Sequence, residues 1–320
     1  MSMKPPILSA ATLVAVFAGL LPAADPQLLN LVMPDAKVLA GVNVDQAKAT
    51  PFGLYVLGQI QAQASTHLQE ITAQTGFDPT RDVHELLLAS NAVPGGKSGL
   101  VLARGTFDAS RIVAAAQTAG GIIETYKGLT LLEDPKQTHA VAFLDGTLAV
   151  AGDVASVKAA IDRQSLAAPL PAAVAVQVNQ WSGAQDAWVI ATVPPSSLHP
   201  PAAPNAPNPA IQNAFQNIQQ AAGGVKFGAQ IALTAQAQAD TAQNATSMAG
   251  VVQFLVSMAQ MQAQQKNPQL AAILPSLSVT TSGNFVNLSL SVPEAQAEQA
   301  VKIKPHATPQ SIHRGPARRL

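Results

Sequence analysis

Thirty residues, Ile122 to Ala151, hold four short apolar runs with little between them. The runs are Ile122–Tyr126, Leu129–Leu132, Ala140–Leu144 and Thr147–Ala151, and none is long enough for a helix of ordinary length. Lys127-Gly128 and Asp145-Gly146 separate two pairs of them, and such dipeptides readily take the positive φ angles of a hairpin turn. Glu133-Asp134-Pro135 reads as a solvated turn between the pairs. This stretch can hardly be anything but an antiparallel sheet.

Helices flank it. Asp108 is placed to cap a helix running to about Ala119, with Ile112, Val113 and Ala116 inward, and Asp153 to cap another running to about Arg163. Upstream, Lys37–Asp45 alternates Val38, Ala40, Val42 and Val44 as a half-buried strand would. Pro51 opens a helix that Gly76 ends, with Leu54, Leu57, Ala64, Leu68 and Ile71 as its apolar positions. An apolar stretch at Glu85–Ala89 and a strand at Gly99–Ala103 follow. In the second half a strand is expected near Ala187–Val193, a Gln-rich helix at about Ala210–Ala222, and an alternating strand from Val225 to Gln236. A long helix is expected over Thr241–Gln265, with Met248, Val252, Leu255 and Ala259 inward. A hairpin at Leu277–Thr281 and Phe285–Val292 ends the pattern.

The fold class is therefore α+β: two ferredoxin-like or split-βαβ type units with antiparallel-rich sheets packed on helices, able either to share one sheet or to stand apart. The first unit spans 25–164 and the second 174–301. Residues 165–173 form an Ala- and Pro-rich linker. The second unit contains a loop, 194–209, whose seven prolines exclude regular structure.

Lys4, the uncharged run Ile7–Leu21 and Pro22-Ala23-Ala24 have the three parts of a secretory signal peptide, residues 1–24, cleaved after Ala23 or Ala24. The run is too short for a comfortable membrane span, so no stable span is expected after cleavage, and the protein is placed in the periplasm or outside the cell. There is no cysteine, which excludes disulfides, thiolate nucleophiles and cysteine metal sites. Charged residues make up only 11% of the chain. Five of the basic ones, Lys302, Lys304, Arg314, Arg318 and Arg319, lie in an acid-free tail, 302–320, read as disordered. What remains is mildly acidic and has no basic cluster for nucleic acid.

No motif carries catalytic spacing. His67, His84, His139, His199, His306 and His313 form no i, i+4 pair, so no histidine metal site is expected. Asp78, Asp82, Asp108 and Asp153 sit where helices begin and read as caps rather than acid–base pairs. Pro94-Gly95-Gly96-Lys97-Ser98 lacks the first glycine of a phosphate loop, having Asn91 there, and reads as a turn. Met248, Met258 and Met261 could line a soft groove, but core packing is the more frequent reason for such a stripe.

The elements Met33-Pro34-Asp35, Thr50-Pro51-Phe52-Gly53, Gly76-Phe77-Asp78-Pro79, Gly105-Thr106-Phe107-Asp108, Tyr126-Lys127-Gly128 and Ala151-Gly152-Asp153 resemble a group of exported bacterial proteins of unknown function. The resemblance covers about residues 30–165 and implies a shared fold; it assigns no activity and no site residue.

The sequence thus points to an exported, non-catalytic binding or structural protein of the cell envelope, with another envelope protein or an apolar ligand as partner and with no catalytic, cofactor-binding or metal residues assigned. Two other readings remain open. One is a hydrolase whose site is assembled from distant residues, with His84, Asp78, Asp82 and Arg104 as first candidates. The other is a carrier of an apolar or lipid ligand held between the long helix 241–265 and the sheet.

Overall fold

A computed structural model of the chain describes residues 24–91, 99–166, 170–192, 217–266 and 268–300. The signal segment up to residue 23, the turn at 94–98, the Pro-rich loop 194–209 and the basic tail lie outside these residues.

Twelve strands form one sheet. In chain order they are β1 (Val38–Asn43), β2 (Val83–Ser90), β3 (Gly99–Gly105), β4 (Ile122–Tyr126), β5 (Leu129–Glu133), β6 (His139–Phe143), β7 (Leu148–Asp153), β8 (Ala187–Ala191), β9 (Ile218–Lys226), β10 (Gln230–Ala239), β11 (Ser278–Ser282) and β12 (Phe285–Pro293). Across the sheet they run β11-β12-β10-β9-β8-β1-β2-β3-β7-β6-β5-β4. Each neighbouring pair is antiparallel. The α+β class holds, and one sheet runs through both halves of the chain, joined where β1 pairs with β8 from Val38↔Ala191 to Val42↔Ala187.

The helices are α1 (Pro26–Leu29), α2 (Val44–Lys48), α3 (Pro51–Thr75), α4 (Pro79–Asp82), α5 (Ala109–Thr118), α6 (Val154–Gln164), α7 (Ala172–Ala184), α8 (Ala242–Lys266), α9 (Pro268–Ile273) and α10 (Glu294–Ala300). Several of their starts carry a side-chain cap. Asn43, Thr50, Asp78, Asp108 and Asp153 each accept a first-turn N–H with the side chain. Gly76 ends α3 at φ 72°, a left-handed conformation that costs glycine nothing.

Side chains alternate between the two faces of a strand, so the register divides the sheet into a back and a front. The back of the first half is leucine-rich. Leu39, Leu87, Leu100, Leu102, Leu131 and Val150 are fully buried there, packed against Leu28 and Leu31, Val157 and Ile161 of α6, and Val178 of α7. Trp188 joins this core by lying over Gly41, its neighbour on β1; a Cβ on Gly41 would fall 2.5 Å from the indole. On the back of the second half the leucines give way to amides. Gln177 donates to Gln220 (2.8 Å), Gln220 to Gln238, and Gln236 to Asn287 (2.8 Å). These cross-strand amides account for a surface almost without charge.

The front is apolar from edge to edge. Directly paired positions run Val279, Leu288, Ala235, Gly223, Val189, Ala40, Leu88, Val101, Ala151, Val141, Leu132 and Ile123. α3, α8, α9 and α10 lie on this face.

Several elements differ from expectation. Residues 218–222 belong to strand β9, not to a Gln-rich helix. Gln220 is paired there with Gln177 of α7 and Gln238 of β10, and Gly224 is needed at the sheet because a Cβ there would meet the Gln185 side chain at 2.5 Å. Val44 begins α2 rather than ending β1, since Asn43 caps a helix at that point. α7 and α10 went unpredicted. Asp145-Gly146 turns without positive φ; the Asp145 carboxylate accepts the N–H groups of Thr147 (2.6 Å) and Leu148 (2.8 Å) and shapes the turn itself. Lys127-Gly128 does take the left-handed pair, at φ 50° and 82°. On α8, Ala259 is exposed; the buried positions are Ala245, Met248, Ala249 and Ala263, with Val252 and Leu255 half-buried.

Candidate functional site

α3 is attached at its ends and stands clear of the sheet between them. At its start, Phe52 is buried and meets Phe227 edge-on with ring centroids 5.4 Å apart. Gly53 fits against the carbonyl of Ala47, which a Cβ would approach to 1.9 Å. Tyr55 Oη donates to the carbonyl of Glu298 on α10 (3.0 Å). At the other end, Phe77 follows the helix and packs on Phe107, which packs on Phe143; both centroid separations are 5.6 Å. Between these aromatic anchors the described α3 side chains are partly or fully exposed.

Beneath the helix lies a cavity of about 750 Å³. Its roof is Gly53, Val56, Leu57, Ile60 and Leu68, and its floor is Val42, Leu86, Ala103, Ala149 and Val141 on the front of β1, β2, β3, β7 and β6. Ile112 of α5 and the anchor rings Phe77, Phe107, Phe143 and Phe227 complete the walls. The size is ordinary for a small-molecule site, but the wall chemistry is not, because such sites usually carry several convergent polar groups. Here Lys48 and Thr80 are the polar side chains in the wall. Thr80 is already engaged: its hydroxyl donates to Asp78 (2.7 Å) and accepts from Gln61 (2.8 Å). From Gly53 to Leu68 the roof spans fifteen residues, about 22 Å at the helical rise of 1.5 Å per residue.

Two residues along their strands from the cavity lining, Leu88, Val101 and Val189 remain 45%, 42% and 43% exposed. A second, more open hollow of about 500 Å³ continues across the same face over Val189, Val225, Leu233 and Leu290, and shares Ala187 with the first.

The long-helix site suggested by the methionines is not this one. Met248 is buried in the core of α8, while Met258 and Met261 are exposed, at 37% and 61%. The cavity lies under α3, whose apolar stripe is also rotated from the expected one: Leu54 and Ile71 face outward at 55% and 42% exposure.

Of the four hydrolase candidates, Asp78, Asp82 and His84 lie near one another, but all four are committed to structural bonds. Asp78 accepts the Thr80 N–H (2.9 Å) as the cap of α4, and its carboxyl is held below its ordinary range first by the Thr80 hydroxyl. Asp82 accepts the Asp78 N–H (2.8 Å) and pairs with Arg81 (2.6 Å), which lowers it too. His84 Nδ1 lies 3.0 Å from Asp45 on the surface. Arg104, on the back of β3, holds Asp25 (2.6 Å) and Thr147 (2.7 Å). None of these four lines the cavity. Glu133 is pushed upward by its hydrogen bond with Glu124 and by burial, but this pair lies on the back of β4 and β5, near Lys158 of α6. No cluster of three or more histidine, aspartate and glutamate side chains able to hold a metal occurs among the described residues.

The geometry defines a class: an α+β protein with one broad antiparallel sheet and an apolar cavity under a helix fixed at both ends. No protein-family model matches the sequence, and no curated protein matches it. Solved structures do. Crystal form I of TP0453 is 12% identical with a TM-score of 0.51, over 87% of this chain and 97% of the other. Crystal form III of TP0453 gives 9% identity and a TM-score of 0.53, over 85% and 96%. At such identities the likeness is one of fold alone. No helix among the described residues is long and apolar enough to cross a membrane.

Proposed function

We propose that this is an exported, non-catalytic binding protein of the cell envelope, and that its ligand is a long apolar chain held under α3. The observation that carries the reading is the cavity itself. About 750 Å³ of space with an almost wholly hydrocarbon wall offers little to a sugar, nucleotide or peptide, each of which would leave its polar groups unpaired. A hydrocarbon chain gains about 0.8 kcal/mol per buried methylene and needs no partner. The roof's length of about 22 Å suits an extended chain rather than a compact ring system.

The export half of the proposal rests on the signal-like residues 1–24, and a chain of this length can fold outside the cytoplasm without disulfides. The non-catalytic half rests on the placement of ionisable side chains, since Asp78, Asp82, His84 and Arg104 lie outside the cavity wall and are committed to caps and ion pairs.

Native mass spectrometry of gently purified protein tests the binding reading, together with displacement of a fluorescent fatty-chain probe. A bound hydrocarbon-chain species, or saturable displacement by long-chain compounds, is the expected result. An empty protein that also fails to take up any chain compound would end it. A screen against esterase, peptidase and glycosidase substrates separates this reading from the hydrolase alternative; turnover abolished by a single substitution at Asp78, Asp82, His84 or Arg104 would favour the latter.

A further inference from the structure

Among the described residues, Lys48 is the one charged side chain in the wall of the α3 cavity. It lies on α2, half-buried, and its ammonium donates to the carbonyls of Val83 (3.1 Å) and Arg81 (3.4 Å). A lysine has three donors, so one is left over. Lys127, Lys158 and Lys226 each meet a carboxylate at 2.6–2.7 Å. Lys48 has no carboxylate within ion-pair distance among the described residues. Asp45, one helical turn earlier, is engaged with His84 (3.0 Å), and Asp82 with Arg81 (2.6 Å). The site therefore sets a long hydrocarbon wall beside one lysine whose ammonium has a donor to spare and, among the described residues, no carboxylate partner.

Resting on the proposed apolar-chain reading, we infer that the ligand is a long-chain carboxylic acid, its carboxylate meeting Lys48 Nζ and its chain running under α3. A charge-assisted N–H···O bond beside hydrocarbon is worth more than the same contact in water. It supplies the selectivity that the hydrocarbon wall lacks. The charge count favours a monoanion. One ammonium with one spare donor neutralises a carboxylate, whereas a phosphate monoester would leave excess negative charge near Asp45 and Asp82.

The test uses the full mature chain stripped of endogenous lipid, with hexadecanoic acid, hexadecan-1-ol and hexadecyl phosphate competing against a fluorescent probe at pH 7.5. The acid should bind about tenfold more tightly than the alcohol and more tightly than the phosphate. Lys48→Met should abolish the preference for acid over alcohol, and Lys48→Arg should retain it. Equal affinity of wild type for acid and alcohol overturns the inference and leaves the cavity reading standing. This comparison requires no variant and holds even if Lys48→Met fails to fold. Tightest binding of the phosphate overturns the monoanion assignment. No binding of any of the three removes both the inference and the reading beneath it.

Discussion

α3 and α8 are each 25 residues long and lie on the same front of the same sheet, yet they are attached in opposite ways. α8 presses Ala245, Met248 and Ala249 into the sheet, where they meet Ile218, Ala239 and Val286. α3 buries Phe52 and Gly53 at one end and Thr75 at the other, and its middle stands over empty space. The difference lies in what the flanking chain supplies. The aromatic groups Phe52–Phe227 and Phe77–Phe107–Phe143 hold the two ends of α3 without drawing its middle inward. α8 has no such supports and is held by its own inward side chains. A helix of given length can thus be core or roof, according to where its anchors sit.

The largest expected effect tests α8. Met248→Ala removes a side chain that is 2% exposed and should cost about 2–5 kcal/mol in denaturant unfolding. The matching deletion in the roof, Leu57→Ala, should cost below about 1 kcal/mol, because its side chain already borders a void. Equal losses would erase the contrast between the helices. Next in size is a change in binding. Ala103→Phe places a ring on the cavity floor and displaces two or three methylenes of any bound chain; at about 0.8 kcal/mol each this weakens chain binding at least tenfold, with folding stability nearly unchanged. Titration with the fatty-chain probe reads the first quantity and thermal melting the second. A third effect is kinetic: amide exchange should be faster in the middle of α3 than in the first half of α8, and a bound chain should slow it in α3 alone.

The smallest effect concerns Glu85 on the back of the sheet. Burial raises its carboxyl above the ordinary range, ahead of the opposing bond from the Asp25 N–H (3.1 Å). The folded state therefore favours the protonated form. The stability this confers is full below the unfolded carboxyl value and is lost as pH rises through the raised folded one. Glu85→Gln keeps an acceptor for Asp25 and cannot ionise. It should raise the melting temperature slightly at neutral pH, with the gain disappearing as pH is lowered. A gain that persists in acid would mean that ionisation of Glu85 is not its cause.

Much of the frame was legible because it is local. The hairpin dipeptide Lys127-Gly128, the caps Asp108 and Asp153, and Pro51 and Gly76 at the two ends of α3 act within a few residues of themselves. Strand β9 was not legible, since Gln220 and its neighbours suit a helix surface as well as an amide ladder, and only their partners on α7 and β10 decide. The cavity was invisible for a related reason: Phe52 and Phe227 meet across most of the chain, and no spacing announces them. One signal was available. Gly76-Phe77-Asp78-Pro79 and Gly105-Thr106-Phe107-Asp108 read as turns and caps, and they are, but each also carries a ring, and the two rings touch. Lys48 gave no sign of its position, because a lysine ending a short helix usually faces water.

The seam between β1 and β8 has a consequence for how the chain must be made. β1 is finished early, yet one of its edges is satisfied only by residues 187–191. Until those arrive, an apolar strand from the middle of the final sheet presents a free row of N–H and C=O groups, a template for any other strand nearby. A polypeptide stopped near residue 164 would carry that template permanently, and its most available mate is the same edge on another copy. Aggregation is the hazard for truncated forms, and a chaperone that shields extended segments would matter most while the first half waits for the second.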